Sequence, residues 1–116
     1  MIHSDFKWVN FDTVFNSTTT EATRTFQVDG IPFDTGYLLI QHFDVELPCH
    51  SISINGRNLP SFDIPAQQTI DRAWFLWMDR IPEGFLKQGT NEITIKREGS
   101  EFFKIANVVV NWRERG

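Results

Sequence analysis

The string Trp74-Phe75-Leu76-Trp77-Met78-Asp79-Arg80 concentrates side chains suited to holding a ligand. An indole offers a flat apolar face and one N–H, while a carboxylate beside a guanidinium supplies acceptors and donors for hydroxyl groups. Sugars present the matching mixture, apolar C–H faces framed by hydroxyls, and small-ligand sites pair apolar walls with a few polar groups. On a strand Trp74 and Trp77 point to opposite faces. Trp74, Leu76 and Met78 make the more continuous apolar face, which is expected to turn inward. Trp77 then lies outside with Asp79 and Arg80 near its edge. His42 and Asp44, two residues apart on one strand, line the same face if their strand is the neighbour. The candidate ligand-binding residues are therefore Trp77, Asp79, Arg80, His42 and Asp44, with carbohydrate as the expected ligand. The ordinary alternative for each tryptophan, Trp8 and Trp112 included, is packing.

Other reactive residues form no recognisable constellation. His3, His42 and His50 lack metal-ligand spacing, and no metal or cofactor is expected. Cys49 has His50 beside it, but adjacent strand residues face opposite ways, so the histidine is poorly placed to activate the thiol. Asp34, Asp44, Asp63, Asp71 and Asp79 sit on separate segments, whereas glycoside hydrolysis needs two carboxyls flanking one bond. No nucleophile elbow, P-loop or dinucleotide fingerprint is present. The chain is expected not to be an enzyme. Asn16-Ser17-Thr18 fits a glycosylation acceptor but reads as a polar loop, and Arg113-Glu114-Arg115 reads as a solvated tail.

The elements that must position these residues are short alternating runs. They cover 6–11, 23–28, 36–46, 50–55, 73–78, 91–96 and 102–113, each rich in β-branched and aromatic residues and bounded by turn formers. The 36–46 run can place Leu39, Phe43 and Val45 on one face. Ile52, Ile54, Ile93, Ile95 and Val108 are expected in the core. The last run is apolar on both faces, with Val108, Val110 and Trp112 on one and Ile105 and Val109 on the other, unless a bulge near Ala106-Asn107 shifts the phase. Helical periodicity is nearly absent, and 82–86 makes a turn at most. Seven or eight strands in 116 residues imply an all-β, two-sheet antiparallel sandwich, read as one domain over 1–116.

Composition narrows the partners. Hydrophobic residues make up 41% and aromatic residues 14%, enough for one core without disulfides, which a lone cysteine could not supply. The net charge of −4 argues against nucleic acid and against an anionic membrane surface. No run approaches the length of a membrane span, and no signal peptide is visible, so a cytoplasmic location is expected, with secretion after cleavage left open.

The second half carries a recognisable order. Ser51-Ile52-Ser53-Ile54-Asn55-Gly56 is followed by a long loop and by Trp74-Phe75-Leu76-Trp77. Ile81-Pro82, Leu86-Lys87-Gln88-Gly89-Thr90-Asn91-Glu92-Ile93-Thr94-Ile95 and Phe102 to Val110 then follow. This order, over about residues 36 to 112, resembles the galactose-binding-domain-like jelly rolls, including the sugar-binding domains of bacterial beta-galactosidases. The resemblance implies a jelly roll of a class whose members often bind carbohydrate, while others bind lipid or protein, and a non-catalytic carbohydrate-binding module is the expected function. A structural or interaction module, self-association included, is the alternative, since aromatic residues and arginine also mark protein interfaces. Physically, Asn55-Gly56 supplies the positive φ of a tight turn, and Asn91 can bond nearby backbone before Ile93 and Ile95 enter the core.

Overall fold

Period-two alternation forces each strand to present one row of side chains to a core and one away from it, and the computed structural model shows eight such strands. It describes residues 2–43, 50–60, 74–98 and 102–115. The strands are β1 (Ile2–Phe15), β2 (Glu21–Val28), β3 (Ile31–Phe43), β4 (His50–Ile54), β5 (Arg57–Asn58), β6 (Trp74–Ile81), β7 (Gly89–Arg97) and β8 (Phe103–Arg115). One antiparallel sheet runs β1-β8-β3-β6, the other β2-β7-β4-β5. That interleaved order is a jelly-roll sandwich. Strands hold 78% of the described residues and none of these is helical. Residues 82–86 form a turn closed by Phe85 N–H donating to Pro82 O.

The core lies between the sheets. Ile52, Ile54, Ile93, Ile95 and Val108 are fully buried, as the alternation predicts, with Leu38, Ile40, Phe103 and Val110 beside them. Phe15 stacks on Phe103 at 4.7 Å, and Phe26 of one sheet meets Trp112 of the other at 6.1 Å. On β3 the buried row is Leu38, Ile40 and His42, which leaves Leu39 and Phe43 facing away; Val45 lies outside the described residues. Ile105 is buried on the same side as Val108, not opposite it. The β3–β8 register slips between Ile40 and His42, which pair with Val108 and Ile105, so β8 carries an extra residue there and its phase resets; the β1–β8 ladder slips at the same level, between Asn10 and Thr13. Arg24 crosses from β2 to the bulge, donating to Asn10 O and Phe11 O, whose carbonyls the irregular ladder would otherwise strand.

Two buried polar clamps, one in each sheet, fix the end of the sandwich where β2, β4 and β8 finish and β3 and β7 begin. Asn55 and Gly56 have φ of 53° and 81°, the signature of a tight hairpin turn. Asn55 donates to Phe85 O and to Asn91 Oδ1, and accepts from Glu92 N–H. Asn91, fully buried, also accepts from Lys87 N–H and donates to Lys87 O and Gly89 O. In the facing sheet, at the same end, the expectation of a solvated tail fails. Glu114 is only 2% exposed. It accepts from Gly30 N–H at 2.7 Å and from the Trp112 indole at 3.3 Å, and it pairs with His3 Nε2 at 3.0 Å. Strand parity turns Glu114 inward with Trp112, and these donors replace the water it gives up.

Two substitutions test this account. Ile93→Ala should lower the unfolding free energy by about 2–5 kcal/mol, read as a shift in denaturant midpoint at constant slope. Asn91→Leu keeps the branching of the side chain but orphans Lys87 N–H and one Asn55 amide hydrogen, at about 1–3 kcal/mol for each buried group left unpaired. A midpoint equal to that of the wild type in either case would contradict the packing described.

Candidate functional site

The face of the β1-β8-β3-β6 sheet that points away from the core carries the ligand-like chemistry. Cross-strand register sets its rows. Trp8 lies opposite Val109, Val109 opposite Leu39, and Leu39 opposite Met78. One row along, Gln41 lies opposite Leu76, and beyond that Phe43 lies opposite Trp74. Trp8 is 69% exposed and Trp74 49%. Between them is an open trough of about 430 Å³, lined by Trp8, Leu39, Gln41, Trp74, Leu76, Asn107 and Val109.

The trough has a polar spine. The Trp8 indole N–H donates to Asn107 Oδ1 at 2.8 Å, and Asn107 Nδ2 donates to Gln41 Oε1 at 3.1 Å. These bonds orient the Trp8 ring and fix both amides, leaving the Gln41 Nε2 hydrogens without a bond among the described residues. At the other end Trp74 packs against Phe43 at 5.2 Å, and the Lys104 ammonium lies 5.1 Å from the Phe43 ring centre. Trp74 is thereby held at one wall by a ring contact, as Trp8 is held at the other by a hydrogen bond.

The expected phase of β6 is reversed. Trp74, Leu76 and Met78 face outward; Trp77, opposite Ile40, faces the inner side. Because β6 is the free edge of its sheet, Trp77 stays 40% exposed there. The inner position opposite Leu38 goes to Asp79, 5% exposed, which accepts from the Arg80 N–H. His42, 4% exposed, is on the same inner face as Trp77, so the expected neighbour relation of their strands holds while the face is the opposite one. Of the four described candidates, Arg80 alone reaches the outer face, opposite Tyr37. Asp44 lies outside the described residues. The structure therefore does not gather the five residues on one open surface. Trp8, Asn107 and Gln41 were missed. Trp8 alternates against buried Val9, but an isolated tryptophan in an alternating run has no sequence mark that separates wall from packing.

Among the described residues, no three His, Cys, Asp or Glu side chains cluster as a metal site would require. Asn16 accepts from Thr18 N–H and Thr19 N–H, so its amide organises a turn.

Comparison with known proteins places the fold. Residues 3–114 match the family described as "Family of unknown function (DUF7383)", and the chain belongs to that family. No curated protein matches the sequence. Among solved structures, dimeric latent PorU from Porphyromonas gingivalis is similar with a TM-score of 0.74 at 9% identity, covering 97% of this chain and 13% of that one. The chain thus spans a small part of that protein. A CBM35 from Cellvibrio japonicus is similar with a TM-score of 0.60 at 15% identity, covering 91% of this chain and 92% of that one. A family 35 carbohydrate binding module from Clostridium thermocellum gives 0.57 at 16%, covering 95% and 89%. At these identities the likeness is one of fold.

Exposure makes the tryptophans separable. Trp8→Ala and Trp74→Ala should each leave stability within about 0.5 kcal/mol of wild type, as surface substitutions do. Trp112→Ala, in the core, should cost about 3–5 kcal/mol. Denaturant titrations of the three variants check the ranking, and a large loss in Trp8→Ala would mean that its ring is structural.

Proposed function

We propose that the chain is a non-catalytic carbohydrate-binding module whose site is the outer trough of the β1-β8-β3-β6 sheet. The observation that carries the reading is the pair of exposed indoles flanking the Asn107–Gln41 amide spine. A sugar ring packs its C–H face on an indole while its hydroxyls meet amide donors and acceptors, which are already held in place. Preorganisation matters because immobilising each rotamer-rich side chain on binding costs about 0.5–1.5 kcal/mol. The likeness in fold to carbohydrate binding modules supports the reading by analogy. So does the jelly-roll motif order over 36 to 112.

A trough open on one side competes with water for every hydrogen bond, so each polar contact contributes about 1 kcal/mol. Affinities between millimolar and micromolar, about 4–8 kcal/mol, follow. Arg80 stands on the same face beside Tyr37, within reach of a longer ligand. Trp77, Asp79 and His42 belong to the inner side of β6 and β3 and act here through packing.

A protein partner is the second reading. Phe6, Met78 and Leu76 are exposed on this face, and a contiguous apolar patch also marks interaction surfaces. A glycan array read alongside sedimentation separates the two. On the carbohydrate reading, wild type retains at least one glycan, and Trp8→Ala or Trp74→Ala weakens that binding at least tenfold while the far-UV circular dichroism spectrum stays unchanged. Loss of self-association in these variants, with no glycan bound by wild type, would decide for the interaction module.

A further inference from the structure

One row beyond the trough, along the strands, the outer face carries a second cavity of about 280 Å³, and its lining is of a different kind. The row itself is Phe6 opposite Asn111 and Asn111 opposite Tyr37. It sits about 7 Å from the Trp8–Val109–Leu39 row, the rise of two strand residues. The cavity opens where the β3–β8 register slips between Phe33 and Tyr37. Asp34 adopts φ of 62° within that slip. Aspartate is among the few residues that tolerate this left-handed geometry, and such strain tends to sit at functional positions. The backbone still closes tightly beneath. Gly36 is buried against β8, and a Cβ there would collide with the Asn111 carbonyl oxygen, so only glycine lets the strands meet at that point.

The polar groups around this cavity are balanced. Asp34 accepts from Thr35 N–H through Oδ1 at 2.8 Å and meets Arg113 Nη1 through Oδ2 at 3.3 Å. Asp5 accepts from Phe6 N–H through Oδ1. Asn111 Nδ2 is shielded from solvent and has no acceptor among the described residues. A buried donor left so is costly, and its presence beside a cavity points to a ligand oxygen. A carboxylate acceptor, a guanidinium and an unused amide donor within one small cavity match a ring that carries several hydroxyls, each both donor and acceptor. They do not match an apolar guest.

We propose that this cavity is a second sugar subsite, continuous with the trough, so that the ligand is an extended oligosaccharide lying along the strands and not a single sugar. The inference rests on the carbohydrate reading of the trough. The two subsites divide the work. The indoles stack on ring faces at one end, and Asn111 and Asp34 read hydroxyls at the other. A disaccharide occupies the trough alone, and a longer chain gains contacts when it reaches Asn111.

Calorimetric titration with β-1,4-linked gluco- and xylo-oligosaccharides, from disaccharide to hexasaccharide, tests this. The affinity of wild type for at least one series should rise about tenfold with length, equal to about 1.4 kcal/mol. Asn111→Leu and Asp34→Asn should each erase the gain, so that the hexasaccharide binds like the disaccharide, while disaccharide binding is unchanged. Asp34→Asn retains a residue type that tolerates positive φ, and keeps the test valid if Asn111→Leu fails to fold. A flat length dependence in wild type, or a gain that survives in Asp34→Asn, overturns the second subsite while leaving the trough intact. Absence of binding by every oligosaccharide, with Trp8→Ala indistinguishable from wild type, overturns the trough reading and the subsite together.

Discussion

The structure depends on the two-sided pairing of β8. Its residues ladder to β1 from Ile2 to Phe15 and to β3 from Ile31 to Phe43, so both of its backbone edges are satisfied by strands far away in sequence. Such a strand has no freedom of register. A slip of one residue would send Val108, Val110 and Trp112 out and Asn107, Val109 and Asn111 in, reversing the burial of each. The inner row closes the core, and the outer row becomes the floor of both cavities. Core and site are thus two faces of one constraint.

The irregularities in that pairing do as much as the regular parts. The slip between Ile40 and His42 returns Ile105 to the core, and Arg24 from the second sheet occupies carbonyls freed by the matching slip between Asn10 and Thr13. The slip between Phe33 and Tyr37 opens the polar cavity and is held by Gly36 against β8. Perfect ladders would give a flatter and less differentiated face. Bulges bend a strand and re-aim its side chains, which is how an extended sheet acquires concave features.

Polar groups hold one end of the sandwich, where β2, β4 and β8 finish and β3 and β7 begin. Asn91 and Asn55 knot the turn between β4 and β5 to the entry of β7. Glu114 ties the turn before β3 and the start of β1 to the end of β8. Each clamp is buried and bonded to several partners, and this is the condition under which buried polar atoms specify a structure instead of weakening it. Both clamps point into the sandwich, which leaves the outer face with its exposed Trp8 and Trp74 free of them.

Sequence by itself determined the strands, the sandwich and the inward isoleucines. Period-two alternation in 50–55 and 91–96 opposes isoleucine to polar residues, and only one face can then be buried. Asn55-Gly56 and Asn91 were equally legible, because positive φ and local backbone bonding are properties of those residue types. The face of β6 was not legible. Both of its rows are largely apolar, and the row with Trp74, Leu76 and Met78 is the more hydrophobic; yet it is the outer one, since register with Leu38 and Ile40 turns Asp79 and Ile81 inward. An edge strand can leave an apolar row uncovered, and its own residues do not record which row that is. The burial of Glu114 was hidden for the same reason. Its donors come from Gly30, Trp112 and His3, and a bond to His3 spans almost the whole chain. The sequence could name residues capable of stacking and hydrogen bonding, but only the β1–β8–β3–β6 register could bring Trp8, Asn107, Gln41 and Trp74 to one face, because cross-strand neighbours are set by pairing and not by proximity along the chain.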